Sequence, residues 1–235
     1  MKFDPPLIPA ILVRRYKRFL ADVRLNNGEV LTVHTPNTGS MLGCAEPGTR
    51  IWLRDSANPT RKYRYSWELA STLDGTLVGV NTHLANRLVE EAIEQGVIPG
   101  LQGYPQLRRE VKYGQGSRVD LLLSAPGRAD CYVEVKNVTA LAEDDCAIFP
   151  DAPTERGRKH LRELAAMVRA GYRAVLLLHV ARDDVQRFRA AAEIDPAYAD
   201  LLLEVQQQGV EVAAWVSQVS PESIGIARSI PVQLS

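Results

Sequence analysis

The change in hydrophobic periodicity near residue 82 constrains the fold of this 235-residue chain more than any other feature. Before residue 82, short runs of aliphatic, β-branched and aromatic residues alternate with turn-forming residues, a pattern typical of strands. After it, apolar residues at helical spacing alternate with further strand-like runs. The sequence therefore predicts two domains, a β-barrel over residues 1–82 and an α/β (α+β) domain over residues 83–235.

Six short runs in the first segment predict strands, at residues 7–13, 19–25, 30–35, 50–53, 63–73 and 77–80. The Asn26-Asn27-Gly28 sequence after the second run predicts a tight hairpin turn, because Asn and Gly tolerate positive φ. Five or six short strands in about 75 residues are typical of a small barrel. We expect an OB-like barrel, with an SH3-like barrel as the alternative.

The second segment predicts the element order αβββαβ, followed by a further helix and strand. The first helix ends before Gly96, and later helices are expected at residues 154–170 and 196–208. Strands are expected at residues 107–113, 118–123, 131–138, 174–180 and 210–216. An antiparallel meander followed by a helical crossover gives a mixed sheet flanked by helices.

The composition excludes several classes of protein. Side chains that are 46% hydrophobic and 24% charged belong to a globular chain and exclude a disordered or coiled-coil one. The 3 cysteines form no CxxC pair, so neither a disulfide framework nor a zinc knuckle is indicated. No apolar run approaches the ~18 residues of a membrane span, and no secretory signal is evident. We expect a soluble cytoplasmic protein with no membrane partner.

The net charge of zero conceals an uneven distribution. Residues 1–82 carry 11 Lys and Arg against 7 Asp and Glu, whereas residues 83–235 carry 17 against 21. The densest basic cluster comprises Arg14, Arg15, Lys17 and Arg18. This distribution predicts a phosphate-attracting surface in the first domain beside a metal-binding one in the second. A solvated basic face explains the charge equally well.

Two neighbouring strands of the second segment carry the residues that predict chemistry. If the hairpin between them turns at Gly127, Asp120 lies directly opposite Glu134. Because side chains alternate along a strand, Glu134 and Lys136 share one face. Two carboxylates and one ammonium would then converge on one point of the sheet.

Opposed carboxylates repel each other unless a cation lies between them, and Mg²⁺ or Mn²⁺ suits an oxygen-rich site. Such a metal polarises a phosphate oxygen, while a nearby ammonium stabilises developing charge. We therefore predict Asp120, Glu134 and Lys136 as catalytic residues, with the two carboxylates as metal ligands. An Asp followed by Glu-x-Lys on adjacent strands resembles the PD-(D/E)xK nuclease pattern. Alternating charges on an exposed strand are the alternative.

Two further groups of residues are candidates, one for the metal and one for phosphate contact. Glu91, at the border of the apolar arc of the first helix, is a candidate third metal ligand, the alternative being an ion pair with Arg87. Basic residues near the start of the second helix oppose its macrodipole, which indicates a use such as phosphate contact, the alternative being surface solvation. These residues are Arg156, Lys159 and His160.

The residues 36–41, rich in turn formers, hydroxyl and amide groups, are predicted to cradle a phosphate through Asn37 and Ser40. A structural turn is the alternative interpretation. His179 lies inside an apolar strand, and we expect it to be a core histidine with its hydrogen bonds satisfied.

Several segments together resemble the sugar fermentation stimulation protein family (SfsA). They are RYKRFLADV at residues 15–23, PNTGSM at 36–41, REVKYG at 109–114, YVEVKNV at 132–138, FPDA at 149–152 and TERG at 154–157. The resemblance implies an N-terminal OB-like domain, a C-terminal PD-(D/E)xK nuclease-like domain, DNA binding and a bacterial or archaeal cytoplasmic setting. It also implies a regulatory link to sugar utilisation, and it does not establish catalysis.

Two functions remain open at this point. The first is a DNA-binding protein with a Mg²⁺- or Mn²⁺-dependent nuclease (phosphodiesterase) site. The second is a non-catalytic DNA-binding regulatory protein that retains a nuclease-like fold. A small-molecule hydrolase or sugar-linked binding protein is a third and weaker alternative. The sequence leaves the oligomeric state open, a homodimer being one option.

Overall fold

The strands of the first segment close into a small barrel in the computed structural model, which describes residues 1–114, 116–142 and 145–234. The strands are β1 (Ile8–Tyr16), β2 (Leu20–Leu25), β3 (Val30–His34), β4 (Arg50–Asp55), β5 (Tyr65–Ser71) and β6 (Leu77–Gly79). Their order is β3-β2-β1-β4-β5-β6, and a pairing between His34 and Ser66 joins β3 to β5. The five strands β1–β5 therefore form the closed barrel predicted as OB-like.

Alternation along the strands explains why this segment forms a barrel. In β2, Ala21 and Val23 are fully buried, whereas Arg24, the next residue of the strand, is exposed. The inward-facing residues of all the strands meet around Trp67, which has no exposed surface and donates its indole N–H to the Leu69 carbonyl at 2.8 Å. The Trp67 ring is thus packed in the apolar interior of the barrel while its indole N–H has a hydrogen-bond acceptor.

The second segment contains the remaining helices and strands. The helices are α1 (Ala85–Glu94), α2 (Glu155–Arg169) and α3 (Pro196–Gln207), with a 3₁₀ turn (Thr82–Leu84) directly before α1. The strands are β7 (Gln106–Tyr113), β8 (Ser117–Ala125), β9 (Arg128–Val138), β10 (Ala140–Ala142), β11 (Cys146–Phe149), β12 (Arg173–Val180), β13 (Arg187–Ala190), β14 (Glu211–Val219), β15 (Ile224–Ile230) and β16 (Val232–Gln233).

The main sheet of this segment is mixed, as predicted. Its order is β15-β14-β12-β9-β8-β7, with β7, β8 and β9 antiparallel and β9, β12 and β14 parallel. Helix α1 packs on the face that presents Leu121 and Val133, and helix α2 packs on the face that presents Leu176 and Leu178. Because helices cover both faces, the parallel strand β12 is apolar almost throughout.

A second small sheet of order β10-β11-β13-β16 was not predicted. Its strands have 2 to 4 residues each, too few to show a periodic pattern in the sequence. The longer edge strand β15 was also missed.

Side chains cap the two longer helices. The Thr154 hydroxyl accepts the Gly157 N–H at the start of α2, and the Asp195 carboxylate accepts the Tyr198 N–H at the start of α3. None of the described helices combines the length and the apolar character needed to cross a bilayer.

Candidate functional site: a polar cleft above two carboxylates

A polar cleft of about 970 Å³ lies between the barrel and the second segment. Its walls come from the barrel loop at residues 37–39, the turn before α1, the end of β9 and the first turns of α2. Asp120, Glu134 and Lys136 all line this cleft. The structure therefore brings the three predicted catalytic side chains into one cavity.

The pairing of β8 with β9 explains why the carboxylates converge. The ladder pairs Leu121 with Val133, the register expected from a turn at Gly127, and Ala125 pairs with Arg128 after a bulge. In the described pairings the ladder is not continued to Asp120 and Glu134. Instead, Asp120 Oδ2 accepts the Val135 N–H at 2.7 Å, so the side chain takes the place of a backbone acceptor where the strands separate.

Neutral groups hold the Asp120 carboxylate. Besides the Val135 N–H, it accepts a hydrogen bond from Asn86 Nδ2 at 2.8 Å through Oδ1. Burial and the nearby Glu134 charge raise the pKa of Asp120, and the two hydrogen bonds only partly oppose this. Asp120 is therefore the carboxylate of the pair that binds a proton more readily.

Glu134 is held by cationic and ring nitrogen groups instead. Its side chain is 2% exposed, and Oε1 contacts both Lys136 Nζ, at 2.5 Å, and His160 Nδ1. Burial acts to raise the pKa of Glu134, but the His160 hydrogen bond and the Lys136 charge outweigh burial and lower it. Glu134 Oε2 is enclosed and has no hydrogen-bond partner among the described residues. One oxygen of Glu134 is thus hydrogen-bonded by neighbouring side chains, and the other has no partner among the described residues.

The first turns of α2 bring their polar side chains to the cleft. His160 is buried, and its Nε2 accepts a hydrogen bond from Arg156 Nε at 3.4 Å. This contact leaves the His160 proton on Nδ1, where it can be donated to Glu134. Arg156, Lys159 and His160 all line the cleft, and their contact with nucleic acid stays a prediction.

Glu91 lies outside this cleft, and its prediction as a third metal ligand is wrong for this structure. Its carboxylate pairs with the N-terminal ammonium of Met1 at 3.1 Å and borders a different surface hollow. Helix α1 begins at Ala85, directly after the 3₁₀ turn. Asn86, in the first turn of α1, is the helix residue that reaches Asp120. Asn86 was not predicted as a site residue from the sequence, although it lies in the first turn of α1, just after the 3₁₀ turn.

Asp120 and Glu134 are the two carboxylates on neighbouring strands of this site, and Glu110 and Asp151 also line the cleft. Among the described residues, no group of three or more His, Cys, Asp or Glu side chains has an arrangement suited to a metal ion. Mg²⁺ is commonly held by one or two carboxylates together with water and substrate phosphate oxygens. The open Glu134 Oε2 beside Asp120 fits such a cation.

The barrel loop that was predicted to cradle a phosphate holds a carboxylate of the protein. Asp151 Oδ2 accepts the Ser40 hydroxyl at 3.0 Å and the Met41 N–H at 3.2 Å. A Cβ atom at position 39 would lie 2.5 Å from the same oxygen, so Gly39 permits this approach. Asn37 Oδ1 accepts the Gly39 N–H at 2.8 Å and shapes the loop. Of the two predicted residues, Ser40 therefore already binds an anion, whereas Asn37 hydrogen-bonds within the loop.

Arg15 supports the same loop from the barrel. Its Nη2 lies 2.6–2.9 Å from the carbonyl oxygens of Arg18, Asn37 and Gly39, and Nη1 donates to the Ser40 carbonyl at 3.2 Å. Burial lowers the pKa of Arg15, which is consistent with a half-enclosed guanidinium. The geometry assigns Arg15 to loop structure, and its predicted phosphate contact has no support here.

The other basic residues of the cluster lie at the tip of the β1–β2 hairpin. Arg14 is exposed and pairs with Asp22 at 2.8 Å. Lys17 and Arg18 are exposed in the turn, with φ angles of 51° and 63°. These three side chains do not line the cleft as the structure describes it, and their DNA contact stays a prediction.

Comparisons with known proteins identify both parts of the chain. The family model described as the SfsA N-terminal OB domain matches residues 13–80. The model described as the sugar fermentation stimulation protein RE domain matches residues 83–223. The OB-like prediction is thereby confirmed over the SH3-like alternative.

Curated relatives and a solved structure resemble the chain over nearly its whole length. Sugar fermentation stimulation protein homologues from Thioalkalivibrio sulfidiphilus and Agrobacterium fabrum are 55% and 52% identical, covering 100% and 98% of this chain and 99% and 96% of their own. The structure of Pyrococcus furiosus SfsA in complex with Ca²⁺ has a TM-score of 0.89 at 30% identity, covering 99% of this chain and 98% of that one. The chain therefore belongs to the sugar fermentation stimulation protein family.

Proposed function

We propose that this protein is a cytoplasmic DNA-binding protein whose cleft is a Mg²⁺- or Mn²⁺-dependent phosphodiesterase site. The observation that carries the proposal is the pair of carboxylates Asp120 and Glu134 at the point where β8 and β9 separate, with Lys136 beside them. The open oxygen of Glu134 gives this pair an unused metal-ligating position.

Asp120 and Glu134 are the residues that would hold the metal. A bound divalent ion would polarise a phosphate oxygen and lower the pKa of a bound water. The related Pyrococcus furiosus protein is described in complex with Ca²⁺, a hard cation that takes oxygen ligands as Mg²⁺ does. This supports a divalent-cation site in the family fold without assigning its position in this chain.

The remaining groups of the cleft suit the handling of a phosphodiester. Lys136 Nζ carries a positive charge 2.5 Å from Glu134 and can stabilise negative charge on an attacked phosphate. The hydrogen bonds from Arg156 to His160 and from His160 to Glu134 hold the carboxylate in position. Arg118, Arg156 and Lys159 line the cleft and favour a polyanionic strand.

One observation favours the second candidate, a non-catalytic DNA-binding regulator linked to sugar utilisation. Glu134 Oε1 is compensated by Lys136 and His160, and both oxygens of Asp120 accept hydrogen bonds. The carboxylates are therefore largely satisfied by the protein itself, as in a site retained for structure.

Cleavage of supercoiled plasmid and of single-stranded DNA distinguishes the two candidates. We expect the wild-type protein to nick DNA with Mg²⁺ or Mn²⁺ and not with EDTA, and Lys136→Ala to lose at least about 100-fold in rate. Glu91→Gln, a charge-removing variant outside the cleft, is the matched control. Wild-type protein that binds DNA but cleaves none under any of these conditions would contradict the nuclease and support the regulator.

A further inference from the structure

A chain of three polar side chains, two buried and one half-buried, crosses the main sheet next to the cleft. His179 on β12 is 1% exposed and pairs in register with Asn137 on β9. Its Nδ1 lies 2.9 Å from Asn137 Oδ1, and its Nε2 lies 2.7 Å from the hydroxyl of Ser217 on β14. The expectation of a satisfied core histidine is confirmed, and its partner Asn137 is a residue that lines the cleft.

The direction of these hydrogen bonds follows from the charge of the imidazole. Burial lowers the pKa of His179 to about 4, so the ring is neutral near pH 7 and has one N–H. The Ser217 hydroxyl can donate to Nε2, which leaves the proton on Nδ1 to be donated to Asn137 Oδ1. The tautomer follows from the end of the Asn137 amide that faces His179, which is Oδ1 in the structure.

The other end of that amide is unused. Asn137 Nδ2 is enclosed, carries two N–H donors and has no hydrogen-bond partner among the described residues. Buried polar groups without partners are rare in folded proteins, and each needs a physical reason. Here the amide belongs to a cleft-lining residue directly after Lys136, and His179 contacts only its oxygen end.

We propose that Asn137 Nδ2 donates a hydrogen bond to a phosphate oxygen of the nucleic acid bound in the cleft, and that His179 and Ser217 are positioning residues for this amide. The proposal rests on the proposed function, since it names a substrate contact of the same cleft. A phosphodiester oxygen is an acceptor without a proton, so it matches a donor whose orientation is fixed. Lys136 supplies positive charge near the phosphate, and Asn137 supplies a hydrogen bond whose direction is fixed.

Affinity for a fluorescein-labelled single-stranded DNA, measured with EDTA and with Ca²⁺, tests the donor. Asn137→Ala should weaken binding about 10- to 100-fold, the loss expected for a hydrogen bond to a charged group. Asn137→Asp should weaken binding at least as much, because it replaces the donor with an oxygen that repels phosphate. Asn58→Ala, in an exposed loop of the barrel, is the matched control. Binding by Asn137→Ala within about twofold of wild type would overturn the proposal.

A double-mutant cycle tests the positioning role separately from stability. Ser217→Ala removes the hydroxyl that fixes the His179 tautomer, and it should weaken DNA binding in the wild-type background but not in the Asn137→Ala background. A residue that acts only on the stability of the sheet would give additive losses, and additivity would overturn the positioning role. Circular dichroism and thermal unfolding of each variant establish that the variants are folded.

A titration with inorganic phosphate separates this inference from the proposed function. Wild-type protein that binds no nucleic acid would contradict the proposed function, and the NMR signals of the Asn137 side-chain amide would then decide the inference alone. Addition of phosphate should shift those two signals and leave the Asn58 signals unchanged. Unchanged Asn137 signals would overturn the inference.

Discussion

The barrel loop at residues 36–41 and the floor of the cleft, formed by Asp120, Glu134 and Lys136, both place polar groups around a carboxylate, but only the floor leaves a carboxylate oxygen without a partner among the described residues. In the loop, the Ser40 hydroxyl and the Met41 N–H are donors, and Asp151 satisfies them. On the floor, Glu134 Oε1 is satisfied and Oε2 remains an open acceptor. The loop is therefore a contact between the barrel and the second segment, and the floor is the place suited to a cation.

Hydrogen-bond donors and acceptors in a segment do not by themselves define a binding site. The loop has the composition of a phosphate cradle, yet its ligand is a side chain more than 100 residues away in the chain. On the floor, strands β8 and β9 separate, and one oxygen of Glu134 has no partner among the described residues. Substitutions on the two sides should accordingly affect different properties, activity on the floor and stability in the loop.

The largest effect is expected for Glu134→Gln on the floor. This variant keeps the shape of the side chain but removes the charge that the proposed metal site needs, so DNA cleavage should fall by at least about 100-fold. Rates of plasmid nicking at saturating Mg²⁺ measure the effect, with Asp151→Asn as the comparison from the loop. Cleavage by Glu134→Gln at the wild-type rate would show that Glu134 is not needed for DNA cleavage.

Low pH should destabilise the protein through His179, which lies on β12 beside the cleft-lining residue Asn137. Its pKa is lowered from 6.5 to about 4 in the fold, so the unfolded chain binds the proton more tightly. The stabilisation is complete above pH 6.5 and is lost as the pH falls toward 4, by up to about 3 kcal/mol. Urea unfolding of wild type and His179→Gln between pH 7 and 4.5 isolates this contribution. Parallel stability curves for the two proteins would show that His179 does not cause the loss.

The loop side should respond to Asp151→Ala by losing stability. The substitution removes the acceptor of the Ser40 and Met41 donors, and we expect about 1–2 kcal/mol lower free energy of unfolding. Denaturant unfolding measures the change, with Asp200→Ala on the exposed face of α3 as the control. An Asp151→Ala protein as stable as wild type would mean that the contact between barrel and second segment contributes little.

The smallest effect is expected for Glu91→Gln. Its carboxylate is 32% exposed and pairs with the Met1 ammonium, so stability should change by no more than about 1 kcal/mol. DNA cleavage should stay within about twofold of wild type, because Glu91 lies outside the cleft. A loss of activity comparable to that of Glu134→Gln would restore Glu91 as a metal ligand and contradict the structure.

The fold was largely predictable because its signals are local. Strand alternation and helical spacing extend over only a few residues, and the predicted order αβββαβ agrees with the observed main sheet. The turn at Gly127 also gave the correct register of β8 with β9. The short strands of the small sheet were not predictable, since their pairing depends on contacts between distant segments.

The site was predictable only where strand geometry controls it. Asp120 and Glu134 converge because of their register, whereas the Asn86 contact depends on where the 3₁₀ turn ends and α1 begins. The link from Ser40 to Asp151 and the link from Asn137 to His179 join residues that are far apart in sequence. Such partners follow from the tertiary packing and leave no local pattern to read.

The proposed metal site is tested most directly by a crystal of the wild-type protein soaked in Mn²⁺ and measured for anomalous scattering. We expect one Mn²⁺ peak in the cleft within ligand distance of Asp120 and Glu134 Oε2, and no peak there in Asp120→Asn crystals. A fully soaked wild-type crystal with no anomalous peak between these two carboxylates would contradict the metal-dependent site.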